Sequence, residues 1–289
     1  MKNELWNTKT EKQFFKQALN SFATPEQLFY KFGNDYLAYV PKGQSAKGQA
    51  LQSRNSLIGQ FTEKWCTNLL QPIAKKIKLH AVTGVICNEI GLSKQSNADL
   101  AFCTTNDIEQ PAENIKMIFE VKMSITSNYQ YFNNTKELNC LGDYNTHKGN
   151  PSILRSDSML KAIGKAINIR VSGISSTKIP IIILGNSPIT KSYLKKVDFL
   201  QKYGVIQNFL SLNPKISDKD FIKLSEKQAF TTIEKYTQLE ILLTELIENE
   251  INYFSSMISK PKLGEIITIA NKEKTNIKKA ERFLELIRS

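Results

Sequence analysis

Two short runs, NADLAF at 97–102 and IFEVKMS at 118–124, limit what this chain can fold into more than any other stretch. Successive side chains on a strand take opposite faces, so Glu120 and Lys122 share a face with Ile118, while Phe119 and Val121 take the other. Asp99 likewise shares its face with Ala101. The intervening segment, 104–115, is polar and carries Pro111, so it reads as the connection of a hairpin whose midpoint lies near Glu109 and Gln110. That register sets Asp99 opposite Glu120. Two carboxylates facing each other across a strand pair repel unless a cation lies between them.

The chemistry expected of such a pair is metal binding by Asp99 and Glu120. The ion is a hard divalent cation, Mg²⁺, with water and substrate phosphate oxygens completing its shell and Lys122 alongside. A cation so placed polarises a phosphate and makes a bound water more acidic, while an ammonium orients that water or offsets developing charge. The reaction expected is phosphodiester hydrolysis. An aspartate followed some twenty residues later by Glu-x-Lys also arises by chance in a lysine-rich chain. What gives it weight here is its setting, because a solvated surface strand rarely places Phe119 and Val121 among its charges.

These residues resemble the PD-(D/E)xK nuclease superfamily, and within it the type II restriction endonucleases. The resemblance runs over about half the chain, and its parts appear in order. LIGQFTEKWCTNLL reads as a first helix, HAVTGVIC as a first strand, and ADLAFC with KMIFEVKM as the hairpin. ILRSDSMLKAIGKAINIR reads as a second helix and KIPIIILG as a buried strand. The family's proline before the first acid is Ala98 here. The resemblance implies an α/β fold, with a restriction-endonuclease-like core of a mixed central sheet flanked by helices and further helical parts at both ends. It implies a bacterial, Mg²⁺-dependent, site-specific enzyme that cuts double-stranded DNA, acts as a homodimer and is paired with a cognate DNA methyltransferase. It also makes Glu63, on the helix before the strands, an auxiliary active-site carboxylate. Read from its own helix, Glu63 falls at the far edge of the Ile58, Phe61, Trp65, Leu69 stripe and is equally a solvated carboxylate. Glu89 ranks below it. Other nucleases of the same chemistry (a resolvase, transposon or repair nuclease) and a non-cutting DNA-binding protein with this fold are the alternatives.

Composition agrees with a polyanionic partner. The 289 residues carry a net charge of +12, and neutralising phosphates releases condensed counterions. Cys66, Cys87, Cys103 and Cys140 lie far apart without zinc-ligand spacing, and are expected to be reduced and mostly buried. The charged start MKNELWNTKTEK has no apolar signal core, and IPIIILG is too short to cross a bilayer, so a cytoplasmic protein without membrane or nucleotide cofactor is expected. With only His80 and His147, and no GxSxG or Gly-rich loop, a serine triad or P-loop has no support.

Three stretches are candidates for DNA contact. Before the first helix, Lys42, Gln44, Lys47, Gln52, Arg54 and Asn55 have the flexibility and donors of a wrapping arm. After Lys122, the segment 124–152 reads as a long loop without regular structure, a feature usually functional. Its Asn128, Gln130, Asn133, Asn134, Asn145, His147 and Lys148 can bond bases or phosphates, and Tyr129 and Tyr131 can pack on sugars. At the start of the second helix Arg155 suits a bidentate guanine contact, with Asp157 fixing its rotamer or serving as a helix-end charge. Three regions are expected: a helical 1–56 with the DNA-contacting arm, a nuclease core at 57–212, and a helical 213–289. The Leu/Ile-rich helix at 238–253 reads as core or as a dimer surface.

Overall fold

A computed structural model describes residues 4–21, 23–44, 52–216, 221–249, 252–253 and 258–288. The chain opens with α1 (Thr8–Ser21), a one-turn α2 (Pro25–Leu28) and the hairpin β1 (Tyr30–Phe32) and β2 (Asp35–Leu37). A long helix, α3 (Gln52–Lys76), leads into β3 (His80–Val85), β4 (Ala98–Cys103) and β5 (Ile115–Val121). The next strands, β6 (Asn128–Tyr131) and β7 (Leu138–Gly142), precede α4 (Ser156–Ser172), β8 (Ile181–Gly185), α5 (Leu194–Lys202), β9 (Asn208–Ser211) and β10 (Phe230–Thr232). Three helices complete the chain: α6 (Tyr236–Glu248), α7 (Lys260–Ala270) and α8 (Asn276–Arg288).

The main sheet is mixed, with six strands in the order β10-β9-β8-β5-β4-β3. β3, β4 and β5 form an antiparallel meander, whereas β8, β9 and β10 join it in parallel. Parallel neighbours need crossovers, which α4 provides between β5 and β8 and α5 between β8 and β9. β8 is buried at every position, as a strand covered on both faces must be. Each of its isoleucines and its leucine removed from water stabilises by about 1.5–3 kcal/mol.

The sheet divides two apolar cores. On one side Leu100, Phe102, Met117 and Phe119 pack with Ile58, Leu70 and Ile73 of α3. On the other, Ala98, Ala101, Ile118 and Ile183 meet Met159, Ala162, Ala166 and Ile169 of α4. The first core also takes in Trp6, Phe14 and Phe15 near the start of the chain and Leu239 and Leu243 of α6. The three expected regions therefore share one core. α6 is core through Leu239 and Leu243, with Ile241 exposed.

Strands appear where the sequence reading expected none. The supposed loop at 124–152 holds β6 and β7, which join β1 and β2 in a second, antiparallel sheet of order β1-β2-β6-β7. Alternating aromatics explain it, because Tyr129 and Tyr131 turn inward against Phe15 and Phe29 while Gln130 stays half exposed. The N-terminal region is thus not wholly helical, and neither is the C-terminal one, where the β-prone Phe230–Thr232 pairs with β9. No helix among the described residues is long and apolar enough to cross a membrane. Cys66, Cys87 and Cys103 are buried and Cys140 is exposed, all unbridged.

Candidate active site

β4 and β5 pair Leu100 with Phe119 and Ala101 with Ile118, a register that continues to Asp99 opposite Glu120. Both acids face α4, the side of the sheet taken by Ala101 and Ile118. Asp99 Oδ2 accepts the Val121 backbone N–H at 2.7 Å, which holds its carboxylate against the end of β5. Glu120 is 5 % exposed, close to burial for a group that ionises at neutral pH. Lys122 Nζ bonds Glu120 Oε1 and lies 3.6 Å from Asp99 Oδ2.

A second ammonium completes the cluster. Lys165 of α4 reaches Glu120 Oε2 at 2.6 Å and Asp99 Oδ1 at 3.2 Å. The sequence reading missed it, although a signal was present. Met159, Ala162, Ala166 and Ile169 form the buried stripe of α4, and Lys165 stands three residues after Ala162 and four before Ile169, so it shares that face. A lysine on a buried stripe needs anionic partners.

The electrostatics follow from this crowding. Burial first, then the neighbouring Asp99, pushes the Glu120 carboxyl above its ordinary range, against the two lysines. Burial also works against the charge of Lys165, but Asp99 and Glu120 overcome it and hold its pKa above the ordinary lysine value. Glu63 belongs to the same field. Its pKa is raised by burial and then by Asp99, with Lys122 and Lys165 opposing. Glu89 is engaged elsewhere, accepting the Ala112 backbone N–H at 3.2 Å.

The strand end that carries Lys122 is locked by a polar network. Ser152 donates its hydroxyl to the Lys122 carbonyl and accepts from Asn186 N–H at 3.0 Å. Ser124 and Asn186 exchange bonds, Ser124 N–H to Oδ1 at 3.1 Å and Nδ2 to the Ser124 carbonyl at 2.6 Å. Ser152 adopts a left-handed φ of 54° to do this, an uncommon conformation outside glycine.

Among the described residues no group of three or more His, Cys, Asp or Glu side chains is arranged to hold a metal ion. The pair Asp99 and Glu120 nevertheless offers what Mg²⁺ takes from proteins, one or two carboxylates with water and phosphate for the rest. Glu120 Oε2 is buried, and the Lys165 ammonium at 2.6 Å is its partner. The donor set fits a small hard cation, and the lysines supply the positive charge the acids require.

The candidate DNA contacts divide. Arg54 is buried, donating to the carbonyls of Leu28 and Ala38 and lying 4.8 Å from the Tyr39 ring centre. His147 stacks on the same Tyr39 ring, with the ring centres 3.9 Å apart. Asn128 Oδ1 accepts the Tyr39 N–H at 2.9 Å, and the Tyr129 hydroxyl donates to Glu11 at 2.9 Å. Arg54, Asn128, Tyr129, Tyr131 and His147 are thus buried parts of the fold, not groups presented to DNA. Their polar atoms were expected to face outward because the strands around them were not recognised. Gln130 donates to Asp35 at 3.2 Å, and Asn145 is half-buried beside Asp143. Lys42, Gln44, Asn55, Asn133, Asn134 and Lys148 are exposed. Arg155 is exposed and ion-paired with Asp157, the geometry expected of a fixed arginine. Lys47 and the side chain of Gln52 lie outside the described residues.

Compared with known proteins, the chain matches no family model, no curated protein and no solved structure.

Proposed function

We propose that this protein is a Mg²⁺-dependent endonuclease acting on double-stranded DNA, a type II restriction enzyme in its chemistry and cellular role. The observation that carries the reading is the meeting of Asp99, Glu120, Lys122 and Lys165 where β4 and β5 face α4. Supporting it are the antiparallel meander between two helices, followed by a parallel strand, and a net charge of +12 that suits a polyanion. Asp99 and Glu120 would hold the metal. Bound there, Mg²⁺ supplies Lewis-acid polarisation of the scissile phosphate and a more acidic water.

The chain's own groups do the rest. Lys122, fixed by the Ser152 and Asn186 network, orients the attacking water and offsets charge developing on the phosphoryl oxygens. Lys165 neutralises the acid pair and holds Glu120 in place. Arg155, exposed and held by Asp157, is the proposed base-reading side chain. A homodimer and a partner methyltransferase belong to the same proposal, since a palindromic site calls for two-fold symmetry and the host's own sites need protection.

Incubation of the purified protein with plasmid or phage DNA is expected to give discrete fragments with Mg²⁺ and none with a chelator or in Lys122→Ala. DNA that is bound but never cut under any divalent-metal condition overturns the enzyme reading and leaves a DNA-binding protein.

A further inference from the structure

The outer face of α1 carries a row of side chains for which the reaction so far has no use. Lys9, Lys12 and Lys16, with Gln13, Gln17 and Asn20, line one shallow groove. Steps of three and four residues put them on one helix face, and Lys9 to Asn20 rises about 16 Å along the axis. The single acid of this helix, Glu11, is turned inward and 1 % exposed. The row is therefore purely cationic and amide. On other helices some exposed cations stand beside acids, as Lys262 does with Glu265 and Arg282 with Glu285. Among the described residues no carboxylate forms an ion pair with Lys9, Lys12 or Lys16.

The same helix is tied to the candidate active site. Glu11 accepts from Trp6 Nε1 at 3.0 Å, from Thr126 N–H at 2.6 Å and hydroxyl at 2.7 Å, and from Ser127 N–H at 3.2 Å. Thr126 and Ser127 follow closely on Lys122. Trp6 N–H donates to the Leu212 carbonyl at 3.0 Å, just beyond the carboxyl end of β9, and its ring packs edge-on against Phe61 and Trp65, which bracket Glu63. These bonds fasten α1 at the end of the sheet that carries the acids.

We propose that the outer face of α1 binds the sugar-phosphate backbone of the duplex whose scissile phosphate enters the active site. The inference rests on the nuclease reading and deepens it by naming a DNA contact surface. Ammonium groups neutralise phosphates and release counterions, and amide groups donate to phosphate oxygens without reading sequence. Such a contact positions the duplex, and base recognition lies elsewhere.

The test is affinity for a short synthetic duplex, by fluorescence anisotropy with a chelator present so that no cleavage occurs, over a series of salt concentrations. The combined variant Lys9→Gln, Lys12→Gln, Lys16→Gln is expected to bind more weakly and to lose about 0.9 per lysine, ~2.7 in all, from the slope of log K against log salt. A control variant, Lys262→Gln, Lys278→Gln, Arg282→Gln, is expected to keep the wild-type slope. Circular dichroism checks that both variants are folded. An unchanged slope in the α1 variant, or an equal loss in the control, overturns the proposal. If the wild type still cuts with Mg²⁺ in that case, only the α1 surface is refuted. A wild type that neither binds nor cuts DNA refutes the nuclease reading, and the α1 proposal with it.

Discussion

Lys165 and His147 show how one side chain acquires its role from what faces it. Replacing Lys165 by Met keeps the length of the side chain and removes its charge, leaving Asp99 and Glu120 with Lys122 alone. DNA cleavage is expected to fall by about 100-fold or more, and the metal-free protein to melt at a lower temperature than wild type. Added Mg²⁺ is expected to narrow that gap, because the carboxylates freed of Lys165 hold the cation more tightly than in the wild type and are stabilised more by it; melting scans with and without chelator read this out. His147 donates through Nε2 to the Thr126 carbonyl at 3.2 Å and accepts the Gly149 N–H on Nδ1 at 3.1 Å. Burial holds its pKa below the ordinary 6.5, with the Thr126 bond opposing. Near that pH the unfolded chain binds the proton more readily than the folded one. The associated stability is complete above 6.5 and is lost as pH falls through the folded pKa, by at most about 1.4 kcal/mol per pH unit. Urea melts between neutral and mildly acidic pH are expected to show this slope, and His147→Gln to lack it.

At the scale of elements, two junctions hold the strand ends that carry the candidate site. Gly185 closes β8, and a Cβ there would lie 2.7 Å from Ile153 Cδ1 and 3.0 Å from Ser152 Oγ. Gly185→Ala is therefore expected to cost about 1–3 kcal/mol through overpacking. It should also slow cleavage, because the displaced Ser152 holds the Lys122 carbonyl. Urea denaturation and initial rates measure the two effects separately. The second junction is Glu11, whose carboxylate gathers donors from Trp6, Thr126, Ser127 and Tyr129. Glu11→Ala strands buried donors at about 1–3 kcal/mol each, and equilibrium unfolding is expected to report a loss of at least about 2 kcal/mol. The β4–β5 hairpin itself was legible beforehand, since strand alternation and one polar connection determine its register. β6 and β7 were not, because asparagines and a glutamine interleaved with their tyrosines hide a period of two behind a polar average.

Over the whole molecule, stability is concentrated in the two cores on either side of the main sheet. α7 and α8 stand apart from both: α8 has no buried residue, and the buried Ile266 and Ala270 of α7 join neither core. A chain ending after Tyr253 is expected to melt within about 4 °C of the full protein, the equivalent of ~1 kcal/mol in a domain of this size. A larger drop in a calorimetric scan would show that the terminal helices are part of the cooperative unit. Electrostatics also acts at this scale. A net charge of +12 favours polyanions in general, and exposed cations without acid partners, such as those on α1, are where a contact of the proposed kind would form.

By itself the sequence determined the meander, the facing acids, the buried β8 and the two helices that enclose them, because local periodicity fixes which side chains share a face. Only the tertiary structure decided that Lys165 joins Asp99 and Glu120, that Glu63 shares their field, and that Arg54, Asn128, Tyr129 and His147 are buried behind a second sheet. The physical reason is that these relations join residues far apart in the chain. Periodicity tells which way a side chain faces, and packing alone supplies what it meets there.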